Sequence, residues 1–328
     1  MSPSSLATFY KDREEYYLSY MADTRPQRFP QTAAMAIGSS FDAYVKSWLH
    51  EALFGKGSDP KFEFRAIFEA QVEKQNRDFA MVAGKHAFGE YQACGALVDL
   101  LTELQGAVMK PRFEIEIGGI VDGQRESVEA TVGGVPLLGK LDIFFISRSG
   151  AHVIFDFKVN GYCSRGNKSP MRGYLRLRGR NTHEMHRDCF PMLYNGMQIN
   201  GAMMLEQSSK EWANQLSIYG WLSGEEVGSE FVTAIDQLAC SENVGGPPTV
   251  RVAEHRLRIS CKYQREWFEM VRHAWEVVCS DHFFRDLPKE ESQNRCEVLD
   301  KYATALQGSG SDQDKWLQDL VRGQRNRY

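Results

Sequence analysis

A chain of 328 residues, 42% of them hydrophobic, can bury one large core or two modest ones, and its net charge of −4 excludes a polycation that binds nucleic acid by global attraction. Seven cysteines, at positions 94, 163, 189, 240, 261, 279 and 296, are odd in number and lack close pairing, which excludes a disulfide framework and a zinc ribbon and fits a reducing compartment. With no apolar signal core at the N-terminus and no stretch of membrane-spanning length, a soluble, intracellular (cytoplasmic) protein with no membrane contact is expected.

Ser2-Pro3-Ser4-Ser5 precedes apolar and aromatic residues at helical spacing, predicting a helix over residues 6–20. Residues 23–31 hold two prolines and read as a linker. A helix is expected over 34–53, with Phe41, Val45, Trp48 and Leu49 on one side, and Gly55 begins its break. Residues 62–82 and 88–104 also look helical, so residues 1–110 form a helical region packed on the core. His86 falls at their junction, where a lone histidine is more often structural than a ligand.

From Arg112 the period changes to two: Phe113, Ile115 and Ile117 alternate with Arg112, Glu114 and Glu116, the pattern of a half-buried strand. Turns at Asp122-Gly123 and Gly133-Gly134 flank an expected strand over 128–132. The next segment, Gly139 to Lys158, reads as a β-hairpin of Ile-, Phe- and Val-rich runs around Ser149-Gly150. Antiparallel pairing brings Asp142 and Asp156 to the same end, and Asp156 shares a strand face with Lys158. Charges in so apolar a stretch are costly unless paired or metal-bound. On the residues alone, a Mg²⁺ or Mn²⁺ site and an ordinary cross-strand ion pair are both open.

Residues 160–190 form a basic insertion with Arg165, Lys168, Arg172, Arg176, Arg178 and Arg180, interspersed with Tyr162 and Tyr174. Basic side chains grip phosphates and aromatic rings stack on unpaired bases, so Arg165, Lys168, Arg172, Tyr174, Arg176, Arg178 and Arg180 are candidate nucleic-acid contacts; a solvated basic loop is the alternative. Its apolar content is too thin to predict a core element. Met192, Met197, Met203 and Met204 belong to an apolar run that fills core space. A helix over 210–222 carries Gln215 and Tyr219 on one face. Strands are expected over 231–238 and 250–259, a long amphipathic helix over 262–284, and a polar extension over 286–328 with a last helix near 312–321. There is no phosphate-binding Gly-x-x-x-x-Gly-Lys-Ser/Thr loop, so ATP-driven translocation would require a partner motor.

Three pieces in order resemble the PD-(D/E)XK nuclease superfamily: Gly139 to Asp142 match its Gly-x-x-Asp element, Asp156-Phe157-Lys158 its (Asp/Glu)-hydrophobic-Lys element, and Gln215 to Tyr219 the Gln-x-x-x-Tyr helix of the RecB-like exonuclease branch, which includes phage recombination nucleases. The resemblance implies an α/β fold, a restriction-endonuclease-like core over 111–285 with a central mixed sheet and flanking helices. It implies Mg²⁺ or Mn²⁺ held by Asp142, Asp156 and the Phe157 carbonyl, with a preceding glutamate completing the acidic cluster; Glu116 is the first choice and Glu114 the second. Lys158 positions or activates water, and Gln215 and Tyr219 sit beside it. Gly38 to Asp42 match the frame of a Gly-x-x-x-His metal element, with Asp42 where the histidine would be. An iron–sulfur cluster is not expected, because Cys296 stands alone where relatives carry a late group of cysteines. The implied activity is DNA exonuclease action in end processing, recombination or repair, with a recombination or helicase protein as partner. A structure-selective endonuclease and a catalytically inactive DNA-binding or scaffold protein are the alternatives.

Overall fold

The computed structural model describes residues 1–22, 29–117 and 131–280. They fall into two units, Met1–Pro30 with Met270–Tyr328, and Gln31–Glu269. The expected features at Asp122-Gly123, over 128–130 and over 286–328, including Cys296, lie outside the described residues. No helix among the described residues is long and apolar enough to cross a membrane.

In the first unit, α1 (Pro3–Lys11) starts on a capping box in which Ser2 and Ser5 exchange side-chain and backbone hydrogen bonds. The single helix expected over 6–20 is broken at Asp12. That residue is extended, and its carboxylate accepts the N–H groups of Glu14 and Glu15, starting α2 (Arg13–Tyr16). A π-turn follows at Tyr17–Met21.

The second unit begins with α3 (Ala33–Phe54), capped by Thr32 and ended by Gly55 at φ +92°. Ile37, Phe41, Val45 and Leu49 recur every four residues and are fully buried. The helix predicted over 62–82 is two: α4 (Phe64–Gln71) and α5 (Arg77–Ala93). Val72 is extended between them, and the Arg77 guanidinium donates to the Val72 and Glu69 carbonyls, satisfying the end of α4. Gly95, at φ +85°, separates α5 from α6 (Ala96–Gln105), so His86 lies within a helix rather than at a junction.

The strands then follow as β1 (Arg112–Ile117), β2 (Thr131–Val132), β3 (Val135–Pro136), β4 (Gly139–Ile146), β5 (His152–Asn160), β6 (Arg176–Gly179), β7 (Thr182–Glu184), β8 (Pro191–Tyr194) and β9 (Met197–Asn200). After them come α7 (Leu205–Ser208), α8 (Lys210–Leu222), β10 (Val232–Ser241), β11 (Thr249–Arg258) and α9 (Cys261–Cys279). Seven strands form a mixed sheet in the order β1-β4-β5-β10-β11-β6-β7; β5 and β10 are parallel, and the other pairs are antiparallel. Of the strands expected before Lys158, β1, β4 and β5 form one edge of this sheet, whereas β2, at the end of the stretch expected over 128–132, pairs with β3 in a separate two-stranded sheet.

Both faces of the sheet are covered, which is why β5 reads as a continuous apolar run. Val153, Phe155 and Phe157 face a core shared with α3, α5 and α6, through Phe41, Val45, Tyr91 and Leu97. Ile154 joins Ile235 and Leu257 in a second cluster under Trp212, Leu216 and Tyr219 of α8. The fold is therefore α/β mixed with a central mixed sheet and flanking helices. The basic insertion corrects its expectation, because Arg176–Gly179 is a sheet strand paired to β11 through Leu177↔Ala253. Of the methionines expected in the core, Met197 and Met203 are buried, whereas Met192 is exposed.

Candidate metal centre

Asp142 lies where the β4–β5 ladder stops. Backbone pairing runs from Ile146↔His152 to Ile143↔Phe155. One step further, a carboxylate replaces the backbone acceptor: Asp142 Oδ2 takes the Phe157 N–H at 3.0 Å. Gly139, three residues earlier, sits where a Cβ would fall 2.8 Å from Leu222 Cδ1 and Tyr219 Cε1. The glycine is there because α8 approaches β4 too closely for any side chain.

Two further carboxylates converge on Asp142. Asp42 comes from α3 and Glu114 from β1, and each of the three offers an oxygen within 4.8 Å of the others. Their side chains are only 13–21% exposed. Lys46, one turn after Asp42 and fully buried, places its ammonium among them: 2.8 Å from Asp142 Oδ1 and in short contact with Asp42 and Glu114. Burial alone would discharge this lysine, but the charges of Asp142, Asp42 and Glu114 outweigh it and hold its pKa above the ordinary value.

Glu114 takes the place that Glu116 was expected to fill. Glu116 is 59% exposed, and its ion pair is with Lys140 at 3.8 Å. The cause is backbone geometry. Glu114 has φ +50°, the left-handed region that a non-glycine residue enters at a cost of about 1–3 kcal/mol. Simple alternation is lost there: Phe113 packs in the first core cluster and Ile115 in the second. Glu114 is turned between Lys46 and Lys140.

Beside the three carboxylates, Lys158 lies 2.7 Å from Asp156 Oδ2 and donates to Gln215 Oε1 at 2.8 Å. Gln215 in turn donates to the Tyr219 hydroxyl at 3.0 Å and approaches Asp156 Oδ1 at 3.4 Å. Asp156, Lys158, Gln215 and Tyr219 thus form one connected group, as their spacing on β5 and α8 dictates. The Lys158–Asp156 contact is an ion pair outside hydrogen-bond geometry, so Asp156 Oδ2 is a buried oxygen with no hydrogen bond. Phe157, the candidate carbonyl donor, packs its ring edge-on against Phe41 and Tyr91.

Burial pushes Asp42 up to about 7, helped by the charges of Asp142 and Glu114 and opposed by Lys46. Burial likewise lifts Asp156 to about 6 against the pull of Lys158. For Asp142, burial is outweighed by Lys46, the Phe157 amide and Lys158, and its pKa falls below the usual carboxylate value. Lys158 is desolvated too, yet the Asp156 charge outweighs its burial and raises its pKa. It carries its proton at neutral pH, so it suits holding an anion rather than abstracting a proton.

The donor set fits a hard divalent cation. Three carboxylate oxygens converge on one point that a cationic ammonium already occupies, and Asp156 Oδ2, ion-paired with Lys158 but without a hydrogen bond, is a further buried acceptor. All-oxygen sites of this kind suit Mg²⁺ and Mn²⁺. The cluster is therefore capable of chelating a divalent metal.

The candidate nucleic-acid residues separate into two groups. Arg165, Lys168, Arg172 and Arg180 are exposed, the last two in ion pairs with Asp188 at 3.6 Å and Glu90 at 3.2 Å. Tyr174 is half-buried and meets His186 edge-on. Arg178 is taken out of the basic surface: it is 6% exposed, 3.0 Å from Glu254 and paired with Asp99. Arg176 joins the same Asp99 and Glu254. Burying an arginine demands such partners, and these are met inside the protein. His86 is bonded to the Tyr162 hydroxyl at 3.0 Å, apart from the carboxylates.

Two features escaped the sequence. Lys46 gave a signal, a cation one helical turn after Asp42 on a helix with a strongly apolar face. The second is a buried network in which Asp236 accepts from Tyr91 at 2.5 Å and Arg256 at 2.9 Å, tying α5 to β10 and β11. Tyr91 also touches Phe41 and Phe157, neighbours of Asp42 and Asp156. The chain matches no protein-family model and no curated protein.

Proposed function

We propose that this protein is a metal-dependent DNA exonuclease that hydrolyses phosphodiester bonds in end processing, recombination or repair. The observation that carries the proposal is the convergence of Asp42, Glu114 and Asp142 beside Asp156 and Lys158. The PD-(D/E)XK resemblance supports it, because Gly139, Asp142, Asp156, Lys158, Gln215 and Tyr219 are the residues that carry its motifs and they meet in one place.

In this reading Asp42, Glu114, Asp142 and Asp156 hold Mg²⁺ or Mn²⁺, and the Phe157 carbonyl is a further donor; Glu114 takes the role expected of Glu116. The bound cation would acidify a water and polarise the phosphoryl oxygen. Lys158 keeps its proton and offers positive charge to the phosphate oxygens as negative charge grows on them. Gln215 fixes the Lys158 ammonium, and Tyr219 braces Gln215. Lys46 gives way to the metal while offsetting the carboxylates before it binds. The exposed Arg165, Lys168, Arg172 and Arg180 face the DNA backbone. No ATP-binding loop is encoded, so long-range action would require a recombination or helicase partner.

A second reading, a non-catalytic DNA-binding or scaffold protein, is favoured by Lys46, whose ammonium satisfies the carboxylates without a metal. Cleavage of end-labelled single- and double-stranded linear DNA, with circular DNA as control, decides. Short products released with Mg²⁺ or Mn²⁺, lost in EDTA and in Lys158→Ala, and absent on circles, are expected. Cutting of circles would make the protein an endonuclease. A folded protein inert with every metal would overturn the catalytic proposal.

A further inference from the structure

A hollow of about 490 Å³ is lined in part by Glu114, one of the three clustered carboxylates. Its volume falls in the range of roughly 300–1,000 Å³ that holds small organic ligands. The wall is aromatic: His50 stacks on Phe62 with ring centres 4.2 Å apart at 15°, and meets Phe54 edge-on at 4.7 Å. Burial lowers the His50 pKa, so the wall stays uncharged.

The rim is basic. Lys61, Lys110 and Arg112 are exposed there, and Asp59 is paired to Lys61 at 3.6 Å. The Lys110 ammonium lies 5.2 Å from the Phe54 ring centre. Neither Lys110 nor Arg112 has an acidic partner among the described residues.

The geometry points to this hollow as the seat of one unpaired nucleotide of the strand being cut, its base against Phe54 and its phosphate on Lys110 and Arg112. This rests on the nuclease proposal and adds the substrate's form: a single-stranded segment next to the reacting bond. Aromatic rings accept any base face, and the two unpaired cations accept phosphate without reading sequence. The subsite therefore selects unpaired DNA, not a base sequence.

The test is steady-state cleavage of linear single-stranded DNA with Mn²⁺ across salt concentrations. In Lys110→Gln/Arg112→Gln, two surface changes, KM should rise about tenfold with kcat unchanged, and the slope of log KM against log salt should fall by roughly 0.7 for each cation lost. Phe54→Ala should raise KM by about tenfold, the size of one lost base stack. Because Phe54 is half-buried, a second measurement stands beside it: one abasic residue, stepped along the substrate, should raise wild-type KM at a single position. Cleavage by the wild type with KM and salt slope unchanged in the double variant, and no abasic-sensitive position, overturns the subsite and leaves the nuclease proposal intact. A wild type that cleaves no DNA overturns both.

Discussion

Replacing Lys46 with methionine keeps most of the length of the side chain and removes its charge from among three carboxylates. At 2.8 Å and an effective dielectric near 20, the Lys46–Asp142 attraction alone is about 6 kcal/mol. Desolvation of the two ions offsets most of that, but removing one partner of a buried pair leaves the others uncompensated and costs about 3–5 kcal/mol. Metal-free Lys46→Met should therefore unfold with that much less stability in urea at pH about 7.5. The deficit should shrink at pH about 5, where Asp42 can take a proton. Saturating Mn²⁺ should restore much of it, since a cation at one hundred times its dissociation constant contributes about 2.7 kcal/mol. Titration calorimetry should show Mn²⁺ binding more tightly to the variant than to the wild type, because no ammonium has to leave. Equal stability of the two proteins in EDTA, or weaker Mn²⁺ binding by the variant, would refute the assignment of Lys46 as the cluster's resident cation.

Other consequences can be checked directly. Glu114→Gln should weaken Mn²⁺ binding by an order of magnitude or more, whereas Glu116→Gln, at an exposed position, should leave it within about twofold; calorimetry on the two variants separates them. Gly139→Ala should displace Tyr219 and Leu222, lowering kcat for DNA cleavage while costing about 1–3 kcal/mol of overpacking, read by urea unfolding. Asp42 at about 7, Asp156 at about 6 and Glu254 at about 7 hold their protons more tightly folded than unfolded. Their stabilising contribution is present below the unfolded carboxylate values and is lost as pH rises through 6–7; unfolding in EDTA across that window should show the decline. Mn²⁺ affinity should climb over the same window as Asp42 and Asp156 lose their protons.

The hairpin that carries Asp142, Asp156 and Lys158 was legible because two β-rich runs flank a Ser-Gly turn, and α8 because Gln215 and Tyr219 sit in a well-capped helical stretch. Breaks inside helices were harder to see. Asp12, Val72 and Gly95 end helices by local hydrogen bonding or positive φ, and the apolar periodicity passes across all three. Alternation puts Glu114 and Glu116 on the same polar face and cannot choose between them; the choice is made by φ at Glu114, which is +50°. Arg176 and Arg178 read as surface cations because their counter-charges, Asp99 and Glu254, are far away in sequence. Lys46 was missed for a related reason: its partners Glu114 and Asp142 come from strands that only the folded sheet brings beside α3.

The cluster draws on α3, β1, β4 and β5, and Lys158 is clasped by a glutamine on α8. The shortest continuous stretch holding Asp42 through Gln215 takes in most of the second unit, and β5 gains its inner neighbour only when β10 is made. A nascent chain leaving the ribosome, or a fragment clipped by a protease, therefore holds the pieces without the assembled centre. The order of synthesis thus acts as a safety catch, withholding the assembled carboxylate cluster until β10 has been made.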